Sequence, residues 1–121
     1  MRKSMKMGKL GENLAAQHLA NEGYHLLARN YHTRFGEIDI IALKNQILHF
    51  FEVKTRTPTS MNAPEESITY QKHQRLIKTA LTYIQKTSQQ NELPRIKSWR
   101  ISLIGILLQG THCRKIDIIP M

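Results

Sequence analysis

The sequence predicts an α/β protein in which helices pack on a mixed β-sheet. Two segments, residues 7–22 and about 69–87, repeat their apolar side chains with the period of an α-helix. Five other segments are expected to be strands, and one of them, residues 47–55, is rich in β-branched and aromatic residues. Their order along the chain is α-β-β-β-α-β-β, and such an order predicts a sheet with helices packed on it.

The first helix is expected to span residues 7–22, and the basic residues 1–6 ahead of it are expected to be disordered. Met7, Leu14 and Leu19 fall on one arc at 100° per residue, which gives this helix an apolar face. Gly23 follows and can end the helix, because glycine readily takes the left-handed conformation of a C′ residue.

Three strands and their connections come next. The strands are expected at residues 24–30, 36–43 (GEIDIIAL) and 47–55 (ILHFFEVKT). Residues 30–35 are expected to form a turn region, and residues 44–46 a three-residue hairpin connection. The short connection makes the second and third strands antiparallel neighbours.

The second helix is expected at about residues 69–87, after a loop at residues 57–64 that contains two prolines. Thr69 or Ser67 can cap its first turn. Residues 91–94 interrupt the chain. A strand at residues 99–108 is apolar at nearly every position, which indicates burial on both faces, and a short strand at residues 115–119 closes the chain.

Length and composition predict one folded domain over residues 1–121. Apolar residues make up 40% and charged residues 22% of the chain, too apolar a balance for a disordered protein. Cys113 is the single cysteine, which excludes an internal disulfide and fits a reducing compartment. No apolar run follows the basic N-terminus and none is long enough to span a membrane, so we expect a cytoplasmic protein.

The net charge of +9 favours polyanionic partners, above all nucleic acid. Its distribution is uneven, because residues 1–36 carry six basic and two acidic side chains and residues 55–121 carry ten and four. Residues 37–54 carry two basic side chains and three acidic ones, Glu37, Asp39 and Glu52. These carboxylates therefore lie in the most apolar, strand-like part of a basic chain.

Asp39 and Glu52 are candidates for one site across the hairpin. A connection centred on Asn45 pairs Asp39 with Phe51, and a bulge or a register shift of one residue would align Asp39 with Glu52. Two converging carboxylates repel each other unless they share a proton, pair with a cation or bind a metal. Oxygen ligands of this kind suit Mg²⁺. Lys54, two residues on, would point into the same pocket and could orient a water.

Plainer interpretations stay open at this point. Glu52 and Lys54 can form a solvated ion pair, which is what a Glu-x-Lys at a strand end most often is. Asp39 can accept a backbone hydrogen bond at a strand edge, and Glu12 in the first helix can be an ordinary surface glutamate. The six histidines show no zinc-binding spacing.

Two further patterns indicate contacts with nucleic acid. The turn before the acidic strand contains Tyr31, Arg34 and Phe35. These side chains can stack on bases and bind phosphate, or they can simply pack against the edge of the core. Lys72, Arg75 and Lys78 recur every three residues on the second helix. Such a ridge can track a phosphate backbone, or it can be a solvated helix face.

The motifs together resemble a known family. The residues that carry the resemblance are Gly11-Glu12 with Ala15 and Leu19, Asn30-Tyr31, the run GEIDIIA at residues 36–42, the run FEVKTR at residues 51–56, and Lys72. In these, from about Gly8 to about Ile119, the chain resembles the YraN family of small bacterial proteins. That family looks like the Holliday-junction-resolvase branch of the PD-(D/E)XK nucleases.

The resemblance implies a restriction-endonuclease-like αβββαβ core and a set of site residues. It implies that Asp39, Glu52 and Lys54 are catalytic, and that Mg²⁺, with Mn²⁺ as a substitute, is held by Glu12, Asp39, Glu52 and the carbonyl of Val53. It also places a phosphate contact at Lys72. The predicted contacts with nucleic acid are Arg34, Arg56, Gln71, Lys72 and Arg75.

The sequence departs from the nuclease pattern at two places. Ile38 precedes Asp39 where the motif name has proline, and Arg100 is followed by Ile101 and Ser102 where members often carry Arg-Phe-Asp. Neither change touches the core set. We therefore expect a magnesium-dependent endonuclease that acts on structured or damaged DNA, with a homodimer implied by the resolvase likeness.

Two alternatives remain at this stage. The first is a non-catalytic module that binds DNA or RNA and retains the nuclease fold. The second is an interaction protein whose acidic pocket pairs with its own lysine. A pure binding module has no use for clustered carboxylates, which repel phosphate. Convergence of the three carboxylates Glu12, Asp39 and Glu52 on one cation would therefore favour the nuclease.

Overall fold

The computed structural model describes residues 2–59, 68–91 and 95–121, with side chains from Met7 onward. It contains two helices and five strands in the predicted order. Their bounds are α1 (Arg2–Asn21), β1 (His25–Thr33), β2 (Gly36–Lys44), β3 (Ile47–Arg56), α2 (Tyr70–Gln89), β4 (Ser98–Gln109) and β5 (His112–Pro120). The predicted fold class, a mixed sheet flanked by helices, is therefore confirmed.

Two element bounds differ from the prediction. α1 begins at Arg2, so residues 2–6, which were expected to be disordered, have helical backbone. β1 continues to Thr33 through most of the expected turn. Asn30 takes a φ of 51° within it, a left-handed conformation that asparagine tolerates better than most residues. The strand can therefore pass a position that would otherwise end it.

Part of the predicted connections lies outside the described residues. This holds for positions 60–64 of the proline-containing loop, for the alternative cap Ser67 and for positions 92–94 of the second break. The other cap is observed, because the Thr69 hydroxyl accepts a hydrogen bond from the backbone N–H of Lys72 at 3.1 Å.

The five strands form one sheet in the order β1-β2-β3-β4-β5. β3 and β4 are parallel and are joined through α2, whereas the other neighbours are antiparallel. No helix in the described part of the chain is long and apolar enough to cross a membrane.

The β2–β3 hairpin has a different register from the one centred on Asn45. Lys44 pairs with Ile47, so the connection is the two residues Asn45 and Gln46, both with positive φ (54° and 65°) as in a type I′ turn. The ladder runs from this turn to the pair Ile40 and Phe51. This shift of one residue brings Asp39 level with Glu52, and no bulge is needed.

Apolar side chains of the sheet form a core on each face. On one face α1 contributes Ala15, Ala16 and Leu19, which pack with Phe51 and with a row of β4 isoleucines. On the other face α2 contributes Leu76, Ala80 and Tyr83 against side chains from β2 to β4, which are Ile38, Ile41, Leu48, Phe50 and Ile101. The sheet is thus the middle of three layers.

Both helices begin at the same end of β3. Gly11 of α1 lies against Thr55, near the carboxyl end of β3, whereas Gly23 lies near Lys44, at the other end of the hairpin. The first turns of α2 lie at Glu52, and Tyr83 further along α2 packs on Phe50. The positive end of the α2 dipole therefore faces the region that contains the predicted site, whereas α1 begins at Arg2, more than two turns before Gly11, and passes this region with its interior turns.

Candidate metal and nucleic-acid site

Asp39 is a buried carboxylate at the point where β2 and β3 separate. The residue is 7% exposed, and its Oδ2 accepts a hydrogen bond from the backbone N–H of Val53 at 2.7 Å. The bond takes the place of ladder pairing just beyond Ile40 and Phe51. The predicted backbone bond of a strand-edge aspartate is thus present, but it uses one oxygen only.

The environment of Asp39 disfavours its negative charge. Burial raises the pKa of this carboxyl to about 7, and the charge of Glu52 adds to the increase. The hydrogen bond from Val53 acts in the opposite direction, and Glu12 and Glu37 make smaller contributions that raise the pKa further. A cation at this point would relieve the repulsion.

Glu52 faces Asp39 and forms an ion pair with a lysine of α2. Its Oε1 lies 3.1 Å from Nζ of Lys72, and the side chains are 15% and 38% exposed respectively. Burial raises the pKa of Glu52, while Lys72 lowers it and Lys54 lowers it less. Glu52 therefore forms its ion pair with Lys72, and not with Lys54 as the sequence suggested.

Asp39 and Glu52 share a cavity of about 350 Å³ between the β2–β3 edge and α2. Lys72 and Arg75 put positive charge beside the two carboxylates. Thr69, the N-cap of α2, also lines the cavity, and the first turn of this helix contains no acidic residue. The remaining lining residues are Gly36, Glu37 and Leu76. The cavity thus combines three carboxylates, of which Glu37 is the most exposed, with groups that attract phosphate.

Glu12 and Lys54 line a second cavity, of about 330 Å³, beside α1. Val53 and Thr55 also line it, and Lys54 is exposed. Lys54 is not among the residues that line the cavity of Asp39 and Glu52, where it was expected. Both groups are still within electrostatic reach of that cavity, since Glu12 acts on the pKa of Asp39 and Lys54 on that of Glu52.

The expected convergence of three carboxylates is not observed. Within residues 2–59, 68–91 and 95–121, no three His, Cys, Asp or Glu side chains are close enough to hold one metal ion. Glu12 lies 4.0 Å from Arg29, in an ion pair between α1 and β1. It is near enough to influence Asp39, but it is not grouped with Asp39 and Glu52 as a third ligand.

The oxygen donors that could hold a hard cation are Asp39, Glu52 and the carbonyl of Val53. The N–H and C=O of a residue in a strand point to the same edge, so the Val53 carbonyl lies on the side of β3 that faces Asp39. Mg²⁺ commonly takes one or two carboxylates and completes its shell with water and phosphate. The two carboxylates and the Val53 carbonyl therefore fit the ligand preference of Mg²⁺.

The predicted nucleic-acid residues are spread from the cavity to the β1–β2 turn. Lys72 and Arg75 line the cavity, and Gln71 is exposed one residue away. Arg34 lies 4.9 Å from the ring centre of Phe35, and Lys78 approaches the same ring to 5.7 Å. Arg56 ends β3 and is half-buried. Arg34 and Lys78 therefore extend the basic surface along α2.

Sequence reasoning missed two features of the site. It assigned Lys72 to phosphate but not to Glu52, and it gave Glu37 no role, although Glu37 lines the cavity and lies 3.3 Å from His32. The available signal was the helical spacing of Thr69, Lys72 and Leu76, which puts all three on one side of α2. The contact of Lys72 with Glu52 could not be read from that spacing alone.

Comparison with known proteins gives a family but no activity. Residues 11–120 match the model of a family described as "Uncharacterised protein family UPF0102". A UPF0102 protein of Campylobacter hominis is 43% identical over 104 residues, 86% of each chain. One from Dictyoglomus turgidum is 41% identical over 103 residues, 85% of this chain and 83% of its own. One from Syntrophomonas wolfei is 45% identical over 82 residues, 68% and 71% of the two chains.

Proposed function

Because the chain belongs to the uncharacterised protein family UPF0102, whose description names no activity, we propose its function from the site: a magnesium-dependent endonuclease acting on structured or damaged DNA. The observation that carries the proposal is one cavity that holds two facing carboxylates, Asp39 and Glu52, with Lys72 and Arg75 beside them. Carboxylates alone would repel a phosphodiester, and cations alone would only bind it. Their combination suits hydrolysis of a phosphodiester with a divalent cation.

Each residue of the site has its own role in the proposed reaction. Asp39 and Glu52, with the Val53 carbonyl, hold the cation, and Lys72 and Arg75 bind phosphate oxygens of the strand. Lys54, which is exposed and within electrostatic reach of Glu52, orients the attacking water. Glu12 tunes Asp39 through its charge and acts as a supporting carboxylate. Mg²⁺, when bound, neutralises charge on the scissile phosphate and acidifies water.

Lys72 has two roles in this proposal. In the free chain its ammonium neutralises Glu52, which would otherwise be a poorly solvated charge. When a cation occupies the carboxylates, Glu52 no longer needs this partner, and Lys72 can turn to a phosphate oxygen. The half-exposed position of Lys72 leaves room for that change of partner.

The test is cleavage of branched, flapped and single-stranded DNA with Mg²⁺ or Mn²⁺. We expect slow nicking of at least one branched substrate, with binding but no turnover in Ca²⁺. Asp39→Asn should lower the rate by about a hundredfold or more, while Lys54→Ala should lower it and keep the upward shift of Tm that Mn²⁺ gives. Asp117→Asn, a more exposed carboxylate on β5, is the matched control and should change neither.

The alternative function is a non-catalytic nucleic-acid-binding module. It is favoured by the ion pair of Lys72 with Glu52 and by the finding that, among the described residues, no third side chain joins Asp39 and Glu52 in a group that could hold one metal ion. Intact substrates after long incubation with Mn²⁺, together with no metal-dependent shift of Tm, would decide for this module.

A further inference from the structure

Apart from the two cavities described above, a groove lies between α2 and the β4–β5 side of the sheet. It has a volume of about 280 Å³, and its walls include His73 and Ile77 of α2 and Trp99 and Ile101 of β4. At 100° per residue, His73 and Ile77 lie on the flank of α2 opposite to Arg75 and Lys72. The groove is therefore separate from the candidate metal site, and we call it the Trp99 groove.

Trp99 presents a fixed aromatic surface to this groove. The residue is 37% exposed, and its ring meets that of the fully buried Phe50 edge to face, at 6.1 Å between centroids and an angle of 84°. Phe50 belongs to the core under α2, so it holds the indole in place from below. A large ring that is anchored on one side and open on the other can stack on a ligand with little loss of side-chain entropy.

The surroundings of the groove are basic and aromatic. Arg100 is among its lining residues, although it alternates with Trp99 and Ile101 along β4 and its charge also acts on His49, and Arg95 and Lys97 are exposed on the segment that leads into β4. None of the residues that line it is an aspartate or a glutamate. Tyr70, which is 78% exposed, lies one turn before His73 on the same flank of α2. Rings and cations, with no acidic side chain among the lining residues, are what a single nucleic-acid strand meets on its binding proteins.

We propose that the Trp99 groove binds an unpaired nucleobase, which stacks on the indole of Trp99. The proposal rests on the proposed function in that the ligand is a nucleic acid, and it adds a preference for substrates that contain unpaired nucleotides. Bases inside a duplex have both faces covered by their neighbours, so only a flap, a gap or a single strand can present a free face to Trp99. The cations around the groove favour a phosphate-bearing strand over an apolar peptide.

Trp99 is the only tryptophan of the chain, so its fluorescence reports the groove directly. Oligothymidylate is titrated into the protein in the presence of chelator, which prevents cleavage, at low and at moderate salt. We expect saturable quenching of Trp99 that weakens as salt rises. Oligouridylate is the second arm and distinguishes a DNA strand from an RNA strand. A blunt duplex of equal length should quench far less.

Variants are compared by the anisotropy of a labelled oligothymidylate. Trp99→Ala should weaken binding by roughly five- to a hundredfold, the range that follows from losing one base–aromatic stack, and Trp99→Phe should recover part of it. Ile118→Ala is the matched control, because Ile118 is an apolar residue of similar exposure (39%) on β5, outside the groove. It should leave the affinity unchanged.

The outcomes separate this inference from the proposed function. Asp39→Asn, which removes hydrolysis, should keep the quenching. Cleavage by a chain whose Trp99 is not quenched would contradict base binding in the Trp99 groove and support the proposed nuclease. Quenching without any cleavage would support base binding and contradict the nuclease. Equal quenching by duplex DNA, or a change in fluorescence that depends only on protein concentration as in self-association, would also overturn the proposal.

Discussion

At the scale of single residues, Asp39 makes the fold sensitive to pH. Its pKa of about 7 in the folded chain lies above the ordinary value of 3.8, so between these values the folded state keeps a proton that the unfolded state has lost. Stability must then fall as pH rises through this window, and the loss is complete only above the folded pKa. In chelator we expect a loss of up to about 4 kcal/mol from pH 4 to pH 8.

The measurement is urea unfolding of wild type and Asp39→Asn at a series of pH values in chelator. The amide keeps an oxygen for the Val53 N–H but carries no charge, so the variant should lack most of the decline and be the more stable protein at pH 8. Asp117→Asn serves as the control. A variant that is clearly less stable than wild type at pH 8 would contradict the assignment of Asp39 as a repelled carboxylate.

The partner of Glu52 can be tested by two double-mutant cycles. Because Lys72 lies 3.1 Å from Glu52 and is partly exposed, the cycle of Glu52→Gln with Lys72→Gln should give a coupling of about 0.2–1 kcal/mol. The cycle of Glu52→Gln with Lys54→Gln should give nearly none. A larger coupling with Lys54, measured by the same chemical unfolding, would restore the Glu52–Lys54 pair that the sequence suggested.

At the scale of elements, the contact of α1 with β3 depends on a glycine. A Cβ at Gly11 would clash with Oγ1 of Thr55 and lie 3.0 Å from its Cβ, whereas a Cβ at Gly8 would meet nothing within 4 Å. Gly11→Ala should therefore destabilise the protein by about 1–3 kcal/mol through overpacking. Gly8→Ala, the matched control on the same helix, should stabilise it by about 0.5–1 kcal/mol.

Thermal melts of the two variants and of Gly11→Ala combined with Thr55→Ala measure this difference. The double variant should recover part of the loss, since it removes the Oγ1 and Cγ2 that a Cβ at position 11 would meet. If both alanines stabilised the chain equally, α1 would not approach β3 this closely, and the placement of Glu12 beside Lys54 would lose its support.

Elements and their order could be predicted from sequence because period and composition are local properties. The hairpin register could not, since it depends on Asn45 and Gln46 both taking positive φ, and Asn-Gln is not one of the dipeptides that signal such a turn. Alternation holds along β3, since Phe51, Val53 and Thr55 all face α1. It could not show that Lys54 is exposed, nor that Lys72 of α2 takes the place beside Glu52, because both depend on how the helices pack on the sheet.

At the scale of the whole molecule, the fold places basic residues around the two carboxylates Asp39 and Glu52. α2 directs its positive end toward Glu52 of β3, and the basic residues of this helix continue from there toward Arg34 at the β1–β2 turn. The local excess of negative charge at Asp39 and Glu52 is therefore surrounded by a positive surface. A phosphodiester strand can be attracted over a distance and still meet two carboxylates at the point of contact.

This arrangement predicts how nucleic-acid binding depends on salt. If four to six phosphates are contacted, log K should fall with log salt concentration with a slope of about −4 to −5, since each contact releases counterions. Arg75→Ala, at the cavity, should make the slope smaller by about one and weaken all sequences alike. Lys115→Ala is the matched control, because Lys115 lies on β5 beside Asp117 and outside the basic surface of α2. Anisotropy in calcium, which permits binding without cleavage, gives the slopes. A slope near zero would contradict the polyanion partner altogether, and an equal effect of Lys115→Ala would show a diffuse attraction in place of a strand bound along α2.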